Sequence, residues 1–190
     1  MRKIKVYAVV SIEGFACGSH GEIDTLVDSG IPSNIDFGME NYFKDIDHVV
    51  MTREFYSVLF ECDLCHRFLE KNCIIVKTED EAKIPDVYKA EYYNAGNGYS
   101  EAIERIRELK ATPGGDMWIA GDIELVKAAF DAAIVDEIYI TMLPVSLSRG
   151  KRLFTSSFNE IQWRTIMVKE YDNGAKQLIY RSKSLDVVYN

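Results

Sequence analysis

Residues 116–142 read DMWIAGDIELVKAAFDAAIVDEIYITM, and this stretch constrains the chain more than any other. DMWIA has the length and composition of a strand and stops at Gly121. Over 123–133, Leu125, Val126, Ala129, Phe130 and Ala133 recur at helical spacing, so one helix face is apolar. DEIYITMLPV is strand-like again. A strand, a helix and a strand within ~30 residues form a βαβ unit with parallel strands and a right-handed crossover. A parallel sheet is covered on both faces, so the other segments must supply further strands and helices.

They do. Residues 4–10 alternate and are rich in β-branched and aromatic types, a strand that SIEG interrupts. FGMENYFKDI carries Met39, Tyr42, Phe43 and Ile46 at helical spacing. HVVMT (48–52) is strand-like, and REFYSVLF follows as a helix with Thr52 placed to cap it. CIIVK (73–77) and VYKAEYYN (87–94) are further strands. SEAIERIRELKATPGG is a helix from Ser100, with Ala102, Ile103, Ile106 and Leu109 on its apolar face. The tail, IQWRTIMVKEYDNGAKQLIYRS, reads as two strands around Asn173-Gly174, a pair that favours a type I′ hairpin turn. The expectation is an α/β fold in a single domain over 1–190: one mixed, mostly parallel sheet, helices on both faces, and a C-terminal antiparallel hairpin.

Charge and composition narrow the function classes. Lys+Arg number 22 against 30 Asp+Glu, a net charge of −8, so no broad basic face for nucleic acid is available. No stretch is long and apolar enough to span a bilayer. The opening MRKIKVYAVV is read as a first strand, since Glu13 and Gly14 interrupt it and no small-residue cleavage site follows. A cytoplasmic protein with reduced cysteines is expected.

Sheets of this kind bind ligands beyond the carboxyl ends of their strands. Three candidates fall there: Thr52-Arg53, Lys77-Thr78, and Ala120-Gly121-Asp122-Ile123. The first two pair a hydroxyl with a cation, which suits phosphate oxygens. Taken singly, either pair is more plainly a helix cap or a surface cation; three candidates at the strand ends of one sheet favour a phosphate site. Asp122 opposes it. A carboxylate ~5 Å from a phosphate charge costs about 3 kcal/mol at an effective dielectric of ~20.

Three segments carry a resemblance: VVSIEGFACG near the start, FKDIDHVVMTREFYSVL, and GGDMWIAGDIELVKAAFDAAIVDEIYITMLPVSLSRGKRLF with its Pro144–Phe154 spacing. In these the chain resembles the dihydrofolate reductase-like superfamily, specifically the reductase domain of bifunctional riboflavin-biosynthesis proteins and related stand-alone bacterial members. The resemblance implies a homodimer that binds NADPH and passes a hydride to a pteridine or a ribosylamino-pyrimidine. It places Arg53 at the adenosine 2′-phosphate with Lys77 and Thr78 beside it. Ala120, Gly121, Asp122, Ile123, Glu124 and Leu125 would wrap the diphosphate, and Ala8 and Ala16 would border the nicotinamide. The chain departs from the family at Thr52 and Ser148, where relatives have glycine, and at Gly121-Asp122-Ile123, where they have a glycine pair or triplet. The loop is therefore expected to keep its place and to bind NADPH more weakly.

Reduction of a C=N bond needs a proton donor, and two carboxylates are candidates: Glu13, where the family has Asp, and Asp36, ahead of the second helix. A turn residue and a helix cap are the plainer readings. Cys62-x-x-Cys65-His66 matches a haem-attachment pattern and, with Cys73, a Cys3His zinc set. Helical apolar spacing through Leu64, Phe68 and Leu69 favours ordinary packed thiols, so no metal is expected. The rival to a reductase is a non-catalytic dimeric binding protein whose phosphate loop has decayed.

Overall fold

The computed structural model describes residues 2–17, 36–61, 70–77, 90–148, 150–154 and 162–183. In chain order the elements are β1 (Ile4–Val10), β2 (Phe15–Cys17), α1 (Met39–Lys44), β3 (Ile46–Thr52), α2 (Arg53–Glu61), β4 (Asn72–Lys77), β5 (Ala90–Asn94), α3 (Gly96–Lys110), β6 (Asp116–Ala120), α4 (Ile123–Asp131), β7 (Glu137–Met142), β8 (Lys151–Arg152), β9 (Trp163–Glu170) and β10 (Lys176–Ser182). Eight strands form the main sheet in the order β5-β4-β3-β6-β1-β7-β10-β9. It is parallel from β5 to β7, and β10 runs antiparallel to both β7 and β9. β1 lies between β6 and β7, so the βαβ unit spans the strand that opens the chain.

Alternation in β1 shows how the sheet divides its side chains. Ile4, Val6 and Val10 enter one core with Ile103, Ile106, Leu125 and Phe130 of α3 and α4. Tyr7 enters the other, with Tyr42 of α1 and Tyr56 of α2. Helices therefore cover both faces. Leu125 is fully buried and Phe130 nearly so; each such side chain contributes about 1.5–3 kcal/mol by leaving water.

The segment Pro144–Phe154 folds back over the turn after β1. Ile12 N–H donates to Val145 O at 3.1 Å, and Leu153 N–H to Gly14 O at 3.1 Å. β2 pairs with β8 in a separate two-stranded sheet, and Leu153 is buried in the core beneath it.

Two local expectations change. The hairpin turn is not type I′, because Gly174 (φ 82°) takes a positive φ and Asn173 does not. Gly174 N–H donates to Tyr171 O at 2.8 Å, and Tyr171 N–H to Ala175 O at 2.9 Å, which makes a longer turn closed by one left-handed glycine. In α3, Asn97, Gly98 and Tyr99 are left-handed, so right-handed turns begin only at Ser100.

Candidate functional site

The carboxyl ends of β4, β3 and β6 lie side by side. Thr52 pairs with Val76, Met51 with Ala120, and Lys77 with Asn94 of β5. Sheet order thus gathers three of the sequence candidates at one place. A cavity of about 120 Å³ opens among them. Val76 and Ala95 give it apolar wall, Thr52 and Tyr99 give hydroxyls, and Glu54, Lys77 and Asp122 give charge.

Each end has a local cause. Thr52 Oγ1 accepts from Phe55 N–H at 3.2 Å, so the hydroxyl caps α2 as its position in the sequence suggested. Arg53 and Glu54 then fall in the first turn of α2, with Glu54 lining the cavity. Lys77 O accepts from Ala95 N–H at 2.9 Å, which ties the loop after β5 to the end of β4. That loop continues through Asn97 (φ 54°, ψ 35°), Gly98 (φ 65°, ψ 39°) and Tyr99 (φ 65°, ψ 18°). Left-handed backbone is costly for tyrosine, and here it sets the Tyr99 ring in the cavity wall. Burial, then the carboxylates of Asp122, Glu124 and Glu54, push the Tyr99 phenol above its ordinary value.

Gly121 has φ 86°, and an added Cβ would lie 2.2 Å from Phe55 Cγ. The glycine is therefore required by a packed aromatic ring as well as by its backbone angle. Asp122 is the N-cap of α4, and its Oδ1 accepts from Glu124 N–H at 2.7 Å. A carboxylate oxygen thus holds one of the helix donors that a phosphate oxygen would otherwise meet. Ile123 is half-buried and Glu124 exposed. Leu125 is fully buried in the core. A dinucleotide fits these residues in part: the cavity suits a ribose and a base edge, while the diphosphate must share the start of α4 with Asp122.

Ala8 on β1 and Ala16 on β2 are half-buried against the same core cluster. Glu13 accepts from Ser11 Oγ at 2.8 Å, from Leu147 N–H at 3.2 Å, and from the Ser146 hydroxyl. The Ser146 and Ser11 hydrogen bonds hold its carboxyl down to about 2. That is the opposite of the raised value a proton donor at neutral pH requires, and the same hydrogen bonds tie the β1–β2 turn to Ser146 and Leu147. Asp36 is exposed and accepts from Gly38 N–H at 2.9 Å and Glu40 N–H at 3.1 Å. It shapes the start of α1. Burial raises Asp136, but that carboxyl precedes β7 at the other end of the sheet.

Thr78, Cys62, Cys65 and His66 lie outside the described residues. Cys73 is buried on β4, where burial pushes its thiol up to about 11. A neutral thiol in an apolar core is a packing group rather than a ready metal ligand. His48 sits at the amino end of β3 beside Asp47, 2.6 Å from its carboxylate. Glu54, Ala95 and Tyr99 also line the cavity without a phosphate-site pattern in the sequence to mark them. Glu54 follows a noticed arginine, and Asn97-Gly98 is a turn signal that could have marked the loop.

Comparison with known proteins agrees with this architecture. The chain is 29% identical over 179 residues to YwjB, an uncharacterised protein of Bacillus subtilis, covering 94% of this chain and 97% of that one. A solved structure of a protein assigned to riboflavin biosynthesis in Shewanella sp. PV-4 superposes with a TM-score of 0.74 at 20% identity, over 95% of this chain and 99% of the other. The dihydrofolate reductase of Enterococcus faecalis, solved with NADP(H), gives a TM-score of 0.58 at 15% identity, over 95% of this chain and 96% of the enzyme. The family model of the RibD C-terminal domain matches residues 3–177. The chain therefore belongs to the RibD C-terminal domain family and has its dihydrofolate reductase-like fold.

Proposed function

We propose that the protein is a reductase dependent on a reduced nicotinamide dinucleotide. Its substrate class would be a heterocycle of the kind reduced in riboflavin biosynthesis, 5-amino-6-(5-phosphoribosylamino)uracil or a pteridine-like relative. One observation carries this reading. The ends of β3, β4 and β6 surround a cavity with hydroxyls, an ammonium and the start of a helix, at the edge where such sheets bind ligands. Family membership supplies the reaction class. When bound, the dinucleotide would supply the hydride.

The chain's own residues would divide the remaining work. Lys77 and Thr52 would meet the adenosine side, and the N–H groups at the start of α4 would face the diphosphate next to Asp122. Ala8 and Ala16, small side chains on the core side of β1 and β2, would leave room for the nicotinamide. Glu13 would position residues 144–147 and remain ionised, so the substrate's proton would not come from it. The reading includes a soluble homodimer without nucleic-acid or membrane partners. Exposed Ile166, Met167 and Val168 on edge strand β9 support a contact between copies. Among the described residues no helix is long and apolar enough to cross a membrane.

The Asp122 cap favours a second reading, a binding protein that kept the architecture and lost the chemistry. Titration of the purified protein with NADH and NADPH, followed by nicotinamide fluorescence, separates the two. Saturable binding that Lys77→Ala weakens supports the reductase, whereas absence of binding at millimolar concentration by a folded protein leaves only the second reading.

A further inference from the structure

The resemblance pointed to NADPH, on the expectation that cations would receive its 2′-phosphate. The cavity is charged differently. Arg53 is not among its lining residues; the next residue, Glu54, is, and Asp122 stands on the side of α4. Among the described residues of the lining, Lys77 is the one cation, beside the two carboxylates Glu54 and Asp122.

We infer that this cavity seats an adenosine ribose with a free 2′-hydroxyl, with its base against Tyr99, so that the chain takes NADH in preference to NADPH. This rests on the reductase reading and revises its cofactor. A carboxylate accepts hydrogen bonds from a ribose diol, and in other dinucleotide sheets an acidic residue performs that task whereas an arginine accommodates the 2′-phosphate. Glu54 is exposed at the first turn of α2, within reach of a ribose in the cavity and unencumbered by the core. A 2′-phosphate in the same seat would bring a dianion against Glu54 and Asp122, with Lys77 the one cation among the described lining residues to offset them.

Tyr99 supports the same assignment by an independent route. Its left-handed backbone, at the end of three successive left-handed residues, is a strain the fold retains where a ring is needed in the wall. The ring packs partly on the core beside Ala95, so its orientation is set before any ligand arrives. A pre-set aromatic wall beside an acidic ribose seat matches a purine nucleoside, because the base can stack on the ring while the sugar hydroxyls meet the carboxylate.

The test is calorimetric titration of the full chain with NADH, NADPH, adenosine 5′-monophosphate and its 2′-phosphorylated analogue, each on wild type, Glu54→Gln and Tyr99→Leu. The expected result is NADH tighter than NADPH by roughly tenfold or more, with the same order for the two monophosphates. Glu54→Gln should bring the two dinucleotides within about threefold, and Tyr99→Leu should weaken both alike. Glu54 is exposed, so its variant keeps the test valid if Tyr99→Leu fails to fold. Equal or tighter binding of NADPH, or a ratio that Glu54→Gln leaves unchanged, overturns this inference and leaves the reductase reading standing. Failure of every nucleotide to bind folded protein overturns both.

Discussion

At the amino ends of β1, β3, β6 and β7, each charge pair has a buried member, while at the carboxyl ends of β3, β4 and β6 charges line a cavity. Lys5 is 4% exposed with its ammonium 2.7 Å from Asp116. Glu137 is 2% exposed and is held by Lys3 at 2.9 Å and Arg181 at 2.7 Å. Arg2 lies 2.5 Å from Asp47 and Lys110 2.7 Å from Asp136. At the other end, Glu54 is exposed, and Asp122 accepts from a helix N–H. The difference teaches what each end is for. Paired, desolvated charges set strand register and tolerate little change. Solvated charges around a cavity add little to stability and remain available to a ligand.

The comparison breaks most visibly if Asp116→Ala is harmless. Removing Asp116 leaves the buried Lys5 ammonium only the more distant Asp45 carboxylate at 3.8 Å, so a loss of ~3 kcal/mol is expected in chemical denaturation. Next is Gly121→Ala at the open end, where the new methyl meets Phe55 and the φ is positive. A loss of about 2 kcal/mol is expected, and the double change with Phe55→Ala should show partial coupling in a mutant cycle.

Asp122→Asn sharpens the contrast. Asparagine caps as well as aspartate, so stability should stay within ~0.5 kcal/mol while dinucleotide affinity rises roughly tenfold, read by fluorescence titration. Unchanged affinity would mean that Asp122 does not contend with the diphosphate.

The acid limb of stability is a smaller effect and belongs to the buried end. Burial alone would raise the Glu137 carboxyl, yet hydrogen bonds from Lys3 and Arg181 hold it below its ordinary 4.5. A depressed folded value stabilises above 4.5, and that contribution fades as pH falls through the folded value. Asp136, raised from 3.8 by burial, acts in the opposite sense. Glu137→Gln should therefore flatten the acid decline in a pH series of denaturation curves. Least of all, Glu13→Gln should leave the pH dependence of any reductase activity unaltered, since the carboxyl near 2 is already ionised. A shifted acid limb of the rate profile would restore Glu13 as the proton donor.

Much of this was legible in the residues. The 3.6 and 2.0 spacings marked α4, β6, β7 and β1, and Thr52 before an apolar helix marked its cap, because these patterns rest on contacts within a few residues. Asn173-Gly174 marked the hairpin but not its turn type, since the turn's geometry depends on how β9 and β10 register. Glu13 matched a family position, yet its role depends on Ser146 and Leu147, far away in the chain.

The sequence by itself determined the alternation of elements, the loop at Gly121 and the family. Only the tertiary structure decided that β6 joins β3 and β1, that Glu54 and Tyr99 share a cavity with Asp122, and that a phenylalanine ring fills the space over Gly121. Periodicity records which face of an element is apolar. Which strand ends meet, and which partner a lone carboxylate takes, depend on pairings between distant residues, which local spacing does not encode.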